Sequence, residues 1–175
     1  YIYRYVLLVK KNIKMKNKIL KLHHSAYRCK DSEETRVFYE DFLGMKLKKA
    51  LEILITKSGR KSKVMHTFYE LSDGSCIAFF EEPDKKFAFK KQRDFDLHIA
   101  FEVSEKNLKK MYQKGLDELI ETRGIIDHGF IKSIYLRDPN GYVIELTCPV
   151  ENYEENSHSK TKKVLANWQA NKLKV

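Results

Sequence analysis

One supersecondary pattern occurs twice in this chain. His24-Ser-Ala-Tyr-Arg-Cys29 aligns with His98-Ile-Ala-Phe-Glu-Val103, and Asp73-Gly-Ser-Cys-Ile-Ala78-Phe79 aligns with Asn140-Gly-Tyr-Val-Ile-Glu145-Leu146. Each pair brackets elements in the same order. Alternating and continuous apolar runs predict strands at 22–29, 45–55, 64–71 and 75–80, then again at 97–103, 120–126, 130–137 and 142–148. Asp31 or Ser32 caps a predicted helix with Val37, Phe38, Phe42 and Leu43 at helical spacing, and Gly44 stops it. Ser104-Glu105 opens the second helix, which runs to about residue 119. Residues 57–63 read as a polar loop, 72–74 as a hairpin turn and 83–96 as a charged linker. The expected fold class is therefore α+β. Two paired β-α-β-β-β modules, about 21–82 and 96–149, would form a cupped, half-barrel mixed sheet with helices outside.

The repeat makes His24 and His98 equivalent on the two first strands. Ala78 and Glu145 become equivalent on the two last strands. A single strand histidine is commonly a core or surface residue, and a lone glutamate is rarely buried without a partner. Two His and one Glu on equivalent positions of a repeat point instead to a shared metal. Two His plus one carboxylate with open positions is the pattern of non-haem Fe(II), and Zn²⁺ with a bound water takes the same ligand types.

The net charge of +10 is a property of the ends. Residues 1–21 carry seven basic and no acidic residues, and 151–175 carry five basic and three acidic, so the middle is close to neutral. No basic stripe with interleaved aromatics crosses the middle, so no nucleic-acid partner is expected. No apolar run approaches 18 residues, so no membrane span is expected, and the first nine residues lack the order of a signal peptide. Met15 is an alternative start, with 1–20 as a basic extension. Residues 151–175 form a charged tail with one helical candidate at 164–174. Cys29, Cys76 and Cys148 have no CxxC spacing and lie in apolar runs, which predicts buried, reduced thiols and a cytoplasmic location.

Over residues 20 to 150 the chain resembles the vicinal oxygen chelate superfamily of glyoxalase I, extradiol dioxygenases and bleomycin-resistance proteins. The resemblance rests on His24, on Phe38-Tyr39 with Phe42-Leu43-Gly44-Met45, on His98-Ile-Ala-Phe-Glu-Val, and on Asp138-Pro-Asn-Gly-Tyr-Val-Ile-Glu145-Leu. It implies His24, His98 and Glu145 as metal ligands, with His24 rather than His23 keeping the spacing to Arg28. Glyoxalase I enzymes have four protein ligands, and the fourth position here is Ala78. Glu82 keeps the strand parity but lies beyond the strand's expected end.

The stretch from Ile126-Asp-His128 through Ile134-Tyr135 and Asp138-Pro-Asn-Gly to Glu145 resembles the ring-cleavage motif of extradiol dioxygenases. That resemblance implies Tyr135 beside the substrate, His128 lining its pocket and His66 as acid/base. It makes an Fe(II) ring-cleavage dioxygenase acting on a catechol-like vicinal diol the leading expectation, with Mn(II), Zn(II) or Ni(II) as alternative ions. A glyoxalase-like lyase or isomerase and a metal-free small-molecule-binding resistance protein are the alternatives. Family members pair their modules within one chain or across two, and a homodimer is expected.

Overall fold

The computed structural model describes residues 19–89, 93 and 95–172, so most of the expected basic extension lies outside the described residues. The chain divides into two compact units between Ala88 and Phe89. Each unit holds one four-stranded mixed sheet, and the fold is α+β as the repeat implies. No helix among the described residues is long and apolar enough to cross a membrane.

In the first unit the strands are β1 (His24–Arg28), β2 (Lys46–Ile55), β3 (Lys61–Glu70) and β4 (Cys76–Glu81), in spatial order β1-β4-β3-β2. β1 runs parallel to β4, and the other pairs are antiparallel. Helix α1 (Ser32–Arg36) connects β1 to β2. Asp31 caps it by accepting the backbone N–H groups of Glu33 and Glu34 at 2.8 Å. The predicted α-helix does not continue in that form. Val37–Phe42 is a π-helical turn in which Leu43 N–H reaches back to the Phe38 carbonyl at 2.9 Å. The wider turn buries Phe38, Tyr39 and Phe42 together.

Tyr39 is fully enclosed, stacked on Tyr69 at 5.4 Å and tilted against Phe79 at 4.8 Å. Burying side chains of this size stabilises the unit by about 1.5–3 kcal/mol each. This aromatic core uses one face of the sheet. Strand alternation puts His24, His66, Phe68, Ala78 and Phe80 on the other. The expected loop at 57–63 is shorter than read, because β3 already begins at Lys61 and pairs with Ile55.

The second unit repeats the plan with β5 (Ile99–Glu102), α2 (Glu105–Asp117), β6 (Thr122–Asp127), β7 (Ile131–Arg137) and β8 (Val143–Pro149), in order β5-β8-β7-β6. Ser104 caps α2 by accepting from Asn107 N–H at 3.3 Å. Leu108, Ile134, Leu136, Ile144 and Leu146 form an aliphatic core under α2. Gly115 lets this helix approach β6, since a Cβ there would stand 2.3 Å from Thr122 Oγ1. In the tail, α3 (His158–Asn171) begins six residues earlier than its apolar positions suggest, because Ser157 caps it. Residues 173–175 of that candidate lie outside the described residues.

The three cysteines are free and buried. Burial pushes the Cys29 thiol up to about 11, which makes it a poor nucleophile.

Candidate metal centre

The parallel pairing of first and last strands sets the site. Ala26 stands opposite Ala78 in the first sheet, and Ala100 stands opposite Glu145 in the second. Each alanine lies two residues after His24 or His98. The repeat alignment and the strand register therefore agree residue for residue.

The second unit brings four of the candidate residues together. Glu145 is 4% exposed, unusual for a carboxylate, and both of its oxygens are engaged. His98 Nε2 lies 3.2 Å from Oε2. The Tyr135 hydroxyl donates to Oε1 at 3.2 Å. His128 Nε2 is 2.9 Å from the same hydroxyl. Because Tyr135 donates its proton to Glu145, His128 Nε2–H is the donor in that contact. His128, Tyr135, Glu145 and His98 thus form one continuous chain on the face away from α2.

The turn Asp138-Pro139-Asn140-Gly141 fixes the relative position of Tyr135 and Glu145. Asp138 is buried and folds the turn around itself. Its Oδ1 accepts from Asn140 N–H at 2.9 Å and Tyr142 N–H at 2.8 Å, and its Oδ2 accepts from Asn140 Nδ2 at 3.1 Å. Gly141 has φ +97, and a Cβ there would stand 3.1 Å from Phe89. Its glycine is required on both counts.

In the first unit His24 is exposed on β1. Its Nδ1 is 2.7 Å from Nδ1 of His23, and its ring meets Phe68 edge-on at 5.6 Å. His66 is 7% exposed, stacked on Phe80 at 3.6 Å and against Phe68 at 4.2 Å. Its Nδ1 donates to the Phe79 carbonyl at 2.9 Å, which leaves Nε2 as the basic nitrogen. Burial, reinforced by the nearby charge of His24, lowers its pKa below the ordinary 6.5, against the smaller opposing pull of the Phe79 carbonyl. The His66 pKa is thus perturbed rather than ordinary, and the ring is held neutral.

Ala78 is fully buried. Glu82 does not substitute for it. It follows the end of β4 and is paired with Arg28 at 3.0 Å and Lys85 at 2.7 Å.

Among the described residues no group of three or more His, Cys, Asp or Glu side chains is placed to hold a metal. The pair His98 and Glu145 nevertheless fits one. Two ligands at about 2.1 Å and right angles stand about 3 Å apart, close to the observed separation. His24 belongs to the first unit.

The sequence from 21 to 146 matches the family model described as Glyoxalase/Bleomycin resistance protein/Dioxygenase superfamily. The chain belongs to that superfamily. No curated protein matches it by sequence. Solved structures of the same fold include a glyoxalase/dioxygenase from Nostoc punctiforme, at 22% identity over 78% of this chain and 95% of that one, TM-score 0.59. The fosfomycin resistance protein FosX from Listeria monocytogenes, in complex with Mn(II) and sulfate, matches at 18% identity over 77% and 96%, TM-score 0.57. The trypanothione-dependent glyoxalase I of Leishmania major matches at 19% identity over 86% and 96%, TM-score 0.56. Superfamily members are usually enzymes, and FosX shows that a divalent ion is among the metals the fold holds.

Arg123 was not singled out by the sequence. It stands opposite Tyr135 on β6, with its guanidinium 5.4 Å from the ring centroid. Counting residues from the Asp138 turn would have found it, had the register shift between Gly124 and Ile126 not obscured the strand's far half.

Proposed function

We propose that this protein is a metal-dependent vicinal oxygen chelate enzyme in which His24, His98 and Glu145 hold one divalent ion, Fe(II) by preference. We further propose that it acts as an extradiol-type dioxygenase on a catechol-like vicinal diol. One observation carries the reading. A buried glutamate is held by a histidine on one oxygen and a tyrosine on the other, while a buried alanine occupies the equivalent position of the first module. Three protein ligands leave coordination positions open, as oxygen-activating Fe(II) sites require.

Bound there, Fe(II) supplies Lewis acidity toward two vicinal oxygens and open positions for them and for O₂. The chain's own groups do the rest. Glu145 is oriented by Tyr135, so its second oxygen is directed at the ion. Tyr135 and His128 form a donor pair that orients a substrate oxygen and passes a proton through the phenol hydroxyl. His66 is neutral at physiological pH with Nε2 unprotonated, which suits it to take a proton from a diol hydroxyl. A homodimer, with modules paired within or across chains, completes the proposal.

Anaerobically purified protein should carry about one Fe(II) per chain and consume O₂ with a catechol panel. Stoichiometric metal without O₂ uptake on any vicinal diol would exclude the dioxygenase step. Isomerisation of a thiol–methylglyoxal adduct by the Ni²⁺ or Zn²⁺ form would establish the lyase or isomerase alternative. Ligand binding by metal-free protein that is unaffected by His24→Ala would establish a sequestering role.

A further inference from the structure

One row of paired residues crosses the second sheet as Arg123, Tyr135, Glu145 and Ala100. By the pleat all four share the face that carries His98. Arg123 is exposed, and its guanidinium lies at cation–π distance over the Tyr135 ring. The Tyr135 hydroxyl donates to Glu145 and is met by His128. A cation on the ring, an imidazole at the hydroxyl and a carboxylate beyond it therefore lie in sequence along one line. Two strand spacings separate Arg123 from Glu145, or about 10 Å. That is the reach of a one-ring molecule with an acidic substituent. Arg137, on the same strand face as Tyr135, is instead occupied by Glu121 at 2.8 Å and the Gly141 carbonyl at 3.0 Å.

We propose that Arg123 is a specificity-determining residue that binds an anionic group of the substrate, which makes the substrate class a vicinal diol bearing a carboxylate one ring away from its diol oxygens. The inference rests on the metal-centre reading above. Packing on Tyr135 holds the guanidinium beside the hydroxyl that faces the substrate. Its planar fork matches a carboxylate with two parallel hydrogen bonds, which an ammonium cannot reproduce.

The test compares 3,4-dihydroxybenzoate with unsubstituted catechol as ligands of the Fe(II)-loaded protein, by calorimetry under anaerobic conditions and by O₂ uptake in air. The wild type should prefer the carboxylated probe. Arg123→Gln should weaken its binding by about 10- to 100-fold, from the strength of a charge-assisted hydrogen bond, and leave catechol unchanged. Arg123→Lys should retain part of the preference. Since Arg123 is exposed, the melting temperature of either variant should match the wild type. Equal losses on both probes, no loss on either, or no preference in the wild type overturns the proposal. Discrimination by Arg123 without O₂ uptake supports it while removing the dioxygenase step. O₂ uptake with discrimination insensitive to Arg123 overturns it alone.

Discussion

The two sheets share a register but fill it with opposite chemistry. The row Lys49, Phe68, Ala78, Ala26 of the first unit corresponds to Arg123, Tyr135, Glu145, Ala100 of the second. One row further along, His66 and Phe80 correspond to Ser133 and Thr147. The first unit holds its histidines by ring contact, with His24 on Phe68 and His66 between Phe68 and Phe80. The second holds the same positions by hydrogen bonds, from Tyr135 to Glu145 and from Ser133 to Thr147. A duplicated scaffold thus fixes where side chains stand, while their polarity decides which copy can present a carboxylate. A buried carboxylate needs donors on both oxygens, and only the second row supplies them.

The largest expected effect lies at that difference. Glu145→Ala should lower Fe(II) affinity by at least ~100-fold, since even partners of metal ligands are worth 10- to 100-fold. Ala78→Ser, at the equivalent position, should leave metal affinity unchanged. Metal titration of both variants measures this directly. Equal affinities in the two would mean that Glu145 is a structural carboxylate and that the asymmetry of the copies has no bearing on metal.

The two last-strand turns give the next contrast. Asp138 is buried and carries three hydrogen bonds, whereas Asp73 is solvated and tied to Ser75 alone by its side chain, at 2.9 and 2.6 Å. The Ser75 donors hold the Asp73 carboxyl below the usual range. Asp138→Ala should cost roughly 2–3 kcal/mol, because it removes a charged acceptor and orphans buried donors. Asp73→Ala should cost clearly less. Urea unfolding of the two variants checks the order, and a larger loss at Asp73 would reverse the account of which turn holds its module together.

Much of this was legible in the sequence because the repeat is read twice. Strand positions, both helix caps and the pairing of His24 with His98 and Ala78 with Glu145 follow from period-two alternation and turn residues, signals that act over a few residues. The π-helical turn was not legible, since Phe38, Tyr39 and Phe42 fit an α-helical stripe equally well until Tyr69 and Phe79 are known to receive them. The burial of His66 escaped for a related reason. Its neighbours Phe68 and Phe80 come from two strands, and the stacking that shifts its pKa depends on register rather than spacing. Arg123 was hidden by the irregularity beside Gly124, which breaks the alternation that would have placed it in the site row.

His66 supplies the smallest effect and a pH signature for the first unit alone. Desolvation between Phe68 and Phe80 is the main cause of its lowered pKa, and the charge of His24 adds to it. In the unfolded chain the same ring titrates near 6.5. Folding therefore favours the neutral ring. The associated stability is fully present above about pH 6.5 and is lost as pH falls through the lower folded value. His66→Ser, which installs the residue found at the equivalent Ser133, should flatten this part of the pH dependence as well as removing a stacked ring. Amide exchange read separately on β3–β4 and β7–β8 between pH 7.5 and 5 would assign the slope. An acid-dependent loss of protection on β3–β4 that persists in His66→Ser would place the titrating group elsewhere in the first unit and make the two copies alike in this respect.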